Sequence, residues 1–122
     1  MDLETDFEQQ GDLLLASVWG EWSLPGMRRL VDAIGVECAA RGCRRVLLDG
    51  LAIEVPGAVF EFERYLLGER IARKLQGLRL AVLFPGDHIN KFAESVANRG
   101  GAAMLVTHDR DAAEAFLAHD EA

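Results

Sequence analysis

Three short apolar runs alternate with longer segments of helical periodicity, and this alternation constrains the fold more than any other feature. The runs are Val46–Leu48, Leu80–Phe84 and Ala103–Thr107, and the turn residues Asp49-Gly50 and Pro85-Gly86 are expected to end the first two. Short apolar runs bounded by turn residues are typical of buried parallel strands, which need a crossover connection between them. Because such crossovers are nearly always right-handed, the pattern predicts a largely parallel sheet covered by helices.

Two β-prone runs precede this alternation. They are Phe7–Gln10 and Leu13–Trp19, and Gly11-Asp12 lies between them as a short turn signal. The spacing predicts an antiparallel hairpin. Both faces of the second run are apolar, so we expect it to lie inside the sheet rather than at its edge.

Four segments of helical period separate or follow the strands. The first is predicted to begin at Ser23, a good N-cap, with Pro25 in its first turn, and to end at Gly42. The others are predicted over 57–76, over 89–99 before Gly100-Gly101, and after the N-cap Asp109, where the inward residues are Ala112, Ala113, Phe116 and Leu117. The chain, residues 1–122, is therefore expected to be a single α/β domain. Its predicted sheet is mixed, mostly parallel and five-stranded, in the order β-β-α-β-α-β-α-β-α.

Charge and composition exclude several classes of partner. The 122-residue chain has a formal net charge of −7, which is opposite to the basic surface that nucleic acids and anionic lipids require. No apolar stretch approaches the roughly 20 residues that span a bilayer, and the start of the chain is acidic where a signal peptide is basic. We therefore expect a cytoplasmic protein, in which Cys38 and Cys43 are free core thiols.

The common catalytic and cofactor motifs do not occur. The sequence contains neither a phosphate-binding loop nor a Gly-x-Gly-x-x-Gly fingerprint, and it has no Gly-x-Ser-x-Gly elbow. Its three serines, Ser17, Ser23 and Ser95, are assigned to a strand, a helix cap and a helix. The sequence thus predicts no cofactor and no enzymatic activity.

Three arrangements of residues leave a catalytic or metal-binding role open. His88 and His108 follow two neighbouring strands, beside Asp87 and Asp109, so an enzyme or metal site there is one alternative to exposed loop histidines. Cys43 has arginines at positions 41, 44 and 45, which would lower the pKa of an accessible thiol. The acidic residues at positions 54 and 61 flank one loop, where solvated side chains are the simpler interpretation.

From Gly11 onward the chain resembles STAS-type domains, and more closely the SpoIIAA-like (STAS/SEC14-like) family of bacterial proteins. The segments that support the resemblance are Val46–Asp49, Phe62–Arg70, Lys91–Gly100 and Ala112–Leu117. The resemblance implies the fold described above and a role in binding other proteins. The candidate interaction or pocket positions are Asp49, Ile53, Glu54, Phe60, Arg64, Tyr65, Leu67, His88, Asn98 and Arg99.

One feature of the STAS class is missing. Relatives that antagonise anti-sigma factors are switched by phosphorylation of a serine shortly after the strand that here ends at Asp49. This chain has no hydroxyl side chain between Asp49 and Tyr65, and only the carboxylate of Glu54 is expected near that place. The serine switch is therefore absent, and control of a sigma factor is not inferred from the resemblance.

The second helix has more apolar surface than one sheet contact requires. Val59, Phe62 and Leu66 form one stripe, while Phe60, Leu67, Ile71 and Tyr65 extend around the helix. Gly68 would permit close approach of another backbone. We expect the excess surface to bind a protein partner of unknown identity or a second copy of the helix 57–76 in a homodimer. The alternative is that the hairpin or the loop at 53–55 covers it.

A ligand site is the other class of function that the sequence leaves open. The apolar segment 51–53, Val55, Phe60 and Phe62 would surround the carboxyl ends of the strands, where α/β sheets bind ligands. A small-molecule or lipid-binding module is thus the alternative to a protein-interaction domain.

Overall fold

One mixed sheet with helices on both faces forms the structure, a computed structural model that describes residues 2–55, 57, 59–86, 89 and 91–119. The elements along the chain are β1 (Glu4–Gln10), β2 (Leu13–Glu21), α1 (Leu24–Arg41), β3 (Arg45–Glu54), α2 (Glu61–Lys74), β4 (Arg79–Leu83), α3 (Phe92–Arg99), β5 (Ala103–Thr107) and α4 (Arg110–Ala118). The spatial order is β1-β2-β3-β4-β5, antiparallel between β1 and β2 and parallel elsewhere. The predicted hairpin, the interior position of β2 and the parallel sheet are confirmed.

The helices divide unequally between the two faces of the sheet. Each of the three crossovers moves one strand along the sheet in the same direction, so α1, α2 and α3 lie side by side on one face. They form the larger core with alternate residues of the strands, such as Leu14, Val46 and Val82. Helix α4 packs on the opposite face, where Ala113 and Leu117 contact Leu47, Ala81 and Leu83.

The predicted signals at the ends of α1 are confirmed. The Ser23 hydroxyl accepts a hydrogen bond from the Gly26 N–H at 3.1 Å, and Pro25 lies in the first turn. Gly42 follows the helix in the left-handed conformation, with φ 69°. The left-handed conformation has a low steric cost only for a residue without a Cβ, which is why glycine ends this helix.

Several predicted boundaries were wrong. Strand β1 begins at Glu4 rather than at Phe7, and helix α3 begins at Phe92 rather than at residue 89. Strand β3 does not end at Asp49-Gly50 but continues to Glu54. Gly50 is buried inside this strand, and a Cβ there would lie 2.9 Å from the Leu83 carbonyl oxygen. The glycine therefore permits close packing and does not make a turn. Helix α2 begins at Glu61 rather than at residue 57, since Gly57 has φ 76° and cannot start a right-handed helix.

Side chains of α3 close the outer edge of β5. The Asn98 side-chain amide accepts a hydrogen bond from the Met104 N–H at 2.8 Å and donates one to the Met104 carbonyl at 3.0 Å. Glu94 accepts from the Val106 N–H at 2.6 Å, and the Lys91 ammonium donates to the Val106 carbonyl. An edge strand whose outward groups are already bonded is a poor template for pairing with another chain.

Among the described residues, no helix combines the length and apolar character needed to cross a bilayer.

Candidate functional site

The first turns of α2 carry a set of exposed aromatic side chains. Phe60 and Phe62 are each 69% exposed, and Tyr65 is 41% exposed. On the other side of the helix, Leu67 and Ile71 are buried against the sheet. We call Phe60, Phe62 and Tyr65 the α2 aromatic surface. The predicted apolar excess of this helix is present, and the described parts of the hairpin and of the 53–55 loop leave it uncovered.

Carboxylates accompany these aromatic rings. The Phe60 N–H donates to Glu63 Oε1 at 3.2 Å, which satisfies a free donor at the helix start. The Tyr65 hydroxyl donates to Glu69 Oε2 at 2.9 Å, and this bond raises the pKa of Tyr65. Glu61 adds a further negative charge in the first turn, where the helix dipole favours it. Acidic side chains therefore lie beside the α2 aromatic surface.

Contacts to both neighbouring helices fix the orientation of α2. The Arg70 guanidinium donates two hydrogen bonds to the Asp32 carboxylate of α1, at 2.9 and 2.6 Å, and lowers the pKa of that carboxyl. At Gly68 a Cβ would lie 2.6 Å from the Ala93 carbonyl oxygen of α3. Gly68 does permit close approach of another backbone, as predicted, but that backbone belongs to the same chain.

Several candidate positions are not surface residues. Ile53 and Leu67, taken as interaction or pocket positions, are 3% and 8% exposed and belong to the main core. Strand β3 runs on past residue 49, which turns Ile53 inward, and helical period places Leu67 on the buried side of α2. Neither side chain is available to a protein partner in the folded state, but Leu67 lines an apolar cavity between the sheet and the helices.

Other candidates are distributed around the molecule. Asp49 points to the α4 face, where it accepts from Arg110 Nη2 at 2.7 Å, and Glu54 is exposed at the end of β3. Asn98 has the structural role at the edge of β5, and Arg99 beside it is exposed. His88 lies outside the described residues. Of the predicted set, Phe60 and Tyr65 are both exposed at the start of α2, where Phe62 is exposed as well.

An apolar cavity of about 70 Å³ lies between the sheet and helices α1–α3. Its lining includes Trp22, Val59 and Phe84, with Arg64 as the charged member, and burial lowers the pKa of Arg64. The segment 51–53, Phe60 and Phe62, which the sequence suggested as pocket lining, are not part of it. A dry cavity that admits benzene measures about 150 Å³, so a ligand larger than a few atoms would require the helices to move apart.

The remaining chemical alternatives find little support among the described residues. Asp87 and His88 lie outside them, while His108 and Asp109 are exposed, and the Asp109 carboxylate caps α4 by accepting from the Asp111 N–H at 3.0 Å. In the part of the chain that the structure describes, no three acidic, histidine or cysteine side chains group as metal ligands would. Cys43 is buried rather than accessible, so its neighbouring arginines do not make it a nucleophile.

No family model matches the chain, and no curated protein matches it. Three solved structures are similar in fold over nearly all of it. An anti-sigma factor antagonist from Mycobacterium paratuberculosis aligns at 13% identity with a TM-score of 0.63, over 97% of this chain and 96% of that one.

Two further solved structures are similar in fold to this chain. An uncharacterized protein of the DUF3478 family from Shewanella loihica PV-4, described as having a SpoIIAA-like fold, aligns at 18% identity with a TM-score of 0.52, over 95% of this chain and 93% of that one. The anti-sigma factor antagonist SpoIIAA in its unphosphorylated form aligns at 9% identity with a TM-score of 0.55, over 97% and 100%. This chain has a SpoIIAA-like fold. The resemblance inferred from the sequence is confirmed for the fold.

Sequence reasoning missed one surface of the SpoIIAA-like domain. Glu4, Asp6 and Glu8 alternate along β1 and point to the sheet face on which α4 lies. The alternation of acidic residues is visible in the sequence, but the predicted strand began only at Phe7. A longer strand would have placed these carboxylates on one face.

Proposed function

We propose that this chain is a non-enzymatic, STAS-like regulatory domain that binds a protein partner through the α2 aromatic surface. The observation that supports this is the exposure of Phe60, Phe62 and Tyr65 at the start of one helix. Exposed aromatic clusters are typical of protein interfaces, where such side chains supply most of the binding energy. The similarity in fold to two anti-sigma factor antagonists supports a role of the same broad kind.

The proposed partner binding is not switched by serine phosphorylation. No hydroxyl side chain occurs between Asp49 and Tyr65, and the first turn of α2 already carries the permanent charges of Glu61 and Glu63. Phosphorylation acts by adding negative charge to an interface. A partner of this chain would have to accept that charge at all times, so regulation would come through the availability of the partner. We place this role in the cytoplasm, since both thiols are free.

A second copy of the chain is the simplest partner, and its presence can be measured directly. We expect the wild type to run as a dimer in size-exclusion chromatography with light scattering at high micromolar concentration, and Phe62→Ser to run as a monomer. Val36→Ser is the matched control, because Val36 is 67% exposed on α1 and should leave the dimer intact.

A monomeric wild type would end the homodimer hypothesis and leave a different protein as the partner. A photo-crosslinking residue at position 62, compared with one at position 36, then tests the surface itself in native cells. Equal crosslinking from both positions, or none from either, would refute the α2 aromatic surface as the binding site.

Binding of a small anionic apolar ligand at the cavity that Arg64 lines is a second candidate function, and it requires helices α1–α3 to move apart. The Arg64 guanidinium would pair with the carboxylate of the ligand. The hydrocarbon chain of the ligand would contact the apolar lining of the cavity in place of core side chains. Thermal-shift measurements with short and long fatty acids test this, with Arg64→Met as the variant that should lose the effect. An unchanged melting temperature across the series would remove the candidate.

A further inference from the structure

Helix α4 covers only part of its side of the sheet. It packs on β3, β4 and β5 through Ala113 and Leu117. On the same face β2 presents Leu13, Leu15 and Trp19, of which the leucines are half-buried and Trp19 is 37% exposed. A groove of about 470 Å³ runs between β2 and α4, with Leu13, Leu15 and Leu47 among its lining residues. On this side of the sheet, no helix among the described residues lies above β1 and β2.

Carboxylates border this apolar row on its outer side. In the antiparallel register, Glu4 lies opposite Trp19, Asp6 opposite Ser17 and Glu8 opposite Leu15, so all three exposed acids are on the uncovered face. Across the groove, α4 contributes the exposed Glu114.

The arginines of the groove do not offset these charges. Arg45 and Arg110 both line the groove, but Arg45 pairs with Asp12 at 3.5 Å and Arg110 with Asp49 at 2.7 Å. The uncovered face is therefore apolar beside α4 and negative toward β1. A partner that fits it needs an apolar stripe flanked by cations.

The width of the uncovered face fits a helix. Neighbouring strands lie about 4.8 Å apart, so two strands present a face about 10 Å wide, which is the diameter of one α-helix. The face offers side chains rather than backbone donors and acceptors, so an added strand would find nothing to pair with. Helix α4 already shows how a helix packs on this side of the sheet.

We propose that the uncovered face of β1 and β2 binds an amphipathic, lysine- or arginine-rich helix of a partner protein. Its apolar side packs on Leu13, Leu15 and Trp19, next to α4, and its cationic side faces Glu4, Asp6 and Glu8. This site is on the opposite side of the sheet from the α2 aromatic surface and does not depend on it.

Three synthetic peptides of about 20 residues, long enough to cover a strand about 30 Å in length, test the proposal. One is an amphipathic helix of leucine and lysine, the second has the same composition in an order without an apolar stripe, and the third has glutamate in place of lysine. We expect only the first to bind, with amide chemical-shift changes in β1, β2 and α4. Equal binding of the first two, or shifts confined to α2, would overturn the proposal.

Charge-reversal variants locate the site. Asp6→Lys with Glu8→Lys should weaken binding of the first peptide by about tenfold or more, since close charge pairs at an interface contribute at least this much. Glu61→Lys with Glu69→Lys changes the net charge equally at exposed positions of α2, across the sheet from the proposed site, and should leave the affinity within about twofold of the wild type. A similar loss in both variants would show nonspecific attraction to an acidic protein and would refute the site.

Trp19→Ser tests the apolar contacts of the proposed site independently of the charges. An unchanged affinity of the first peptide for this variant would also refute the site.

Discussion

At the scale of single residues, the structure gives several side chains a role other than the one their type suggests. Asn98 satisfies the backbone of Met104, and Asp49 holds Arg110 of α4. Cys38 is a buried thiol, and burial, with a smaller effect of Cys43, raises the pKa of Cys38 to about 11. These roles lead to measurable effects on stability rather than on binding.

Stability should fall at high pH because of Cys38. Its pKa is about 11 in the folded state against an ordinary value of 9.0, so between about pH 9 and about pH 11 only the unfolded chain loses this proton. The contribution of this thiol to the free energy of unfolding is fully present below pH 9. It is lost between about pH 9 and about pH 11, by an amount on the order of 2 kcal/mol. Urea unfolding at several pH values should show a steeper decline for the wild type than for Cys38→Ala. Parallel declines would contradict the raised pKa.

Asn98→Ala should destabilise the protein by about 1–3 kcal/mol, because it leaves the N–H and C=O of Met104 without their side-chain partner. Arg99→Ala, at the exposed neighbouring position, should stay within about 0.5 kcal/mol of the wild type. Chemical denaturation of the three proteins measures both. Equal stability of the two variants would show that the Asn98 bonds contribute nothing.

At the scale of elements, the position of α2 determines what the molecule exposes. Helix α2 is held between α1, through the Asp32–Arg70 ion pair, and α3, through the close approach at Gly68. These contacts direct Leu67 and Ile71 inward, and the same rotation leaves Phe62 and Tyr65 at the surface. The exposed aromatic side is therefore a consequence of how tightly α2 and α3 pack.

Gly68→Ala should destabilise the protein although alanine favours helix by about 1 kcal/mol. Its Cβ would lie 2.6 Å from the Ala93 carbonyl oxygen and 2.9 Å from Val96 Cβ, so α2 and α3 would have to separate, at a typical cost of about 1–3 kcal/mol. Gly35→Ala in α1 is the control, since its nearest contact would be 3.3 Å. Thermal unfolding should rank Gly68→Ala below Gly35→Ala, and a stabilised Gly68→Ala would disprove the packing argument.

At the scale of the whole molecule, the two sides of the sheet are chemically different. Three helices bury one side, where Trp22 lines the apolar cavity. Helix α4 covers only part of the other side, where Trp19 is exposed. The two edges differ as well, because α3 closes the β5 edge with side chains. The α2 aromatic surface and the uncovered face of β1 and β2 are the two surfaces for which we propose partners.

A single domain over residues 1–122 should unfold in one cooperative step. The tryptophans lie on opposite sides of the sheet, so Trp19→Phe and Trp22→Phe each leave one reporter for one side. We expect the same urea midpoint from either fluorescence signal and from far-UV circular dichroism, as two-state unfolding requires. Two separated midpoints would show that the hairpin side and the helical core unfold independently, which would contradict a single domain.

The sequence alone determined the elements and their order, because the signals involved act over a few residues. Apolar runs, the Ser23 cap and Gly42 predicted strands and helix ends that the structure confirms. Only the tertiary structure decided which side of α2 stays exposed. It also decided that Gly50 lies inside a strand, where it permits close packing of a neighbouring strand, rather than in a turn. Those outcomes depend on contacts between segments far apart in the chain. Such contacts leave no local pattern, since they arise only when helices and strands compete for the same space.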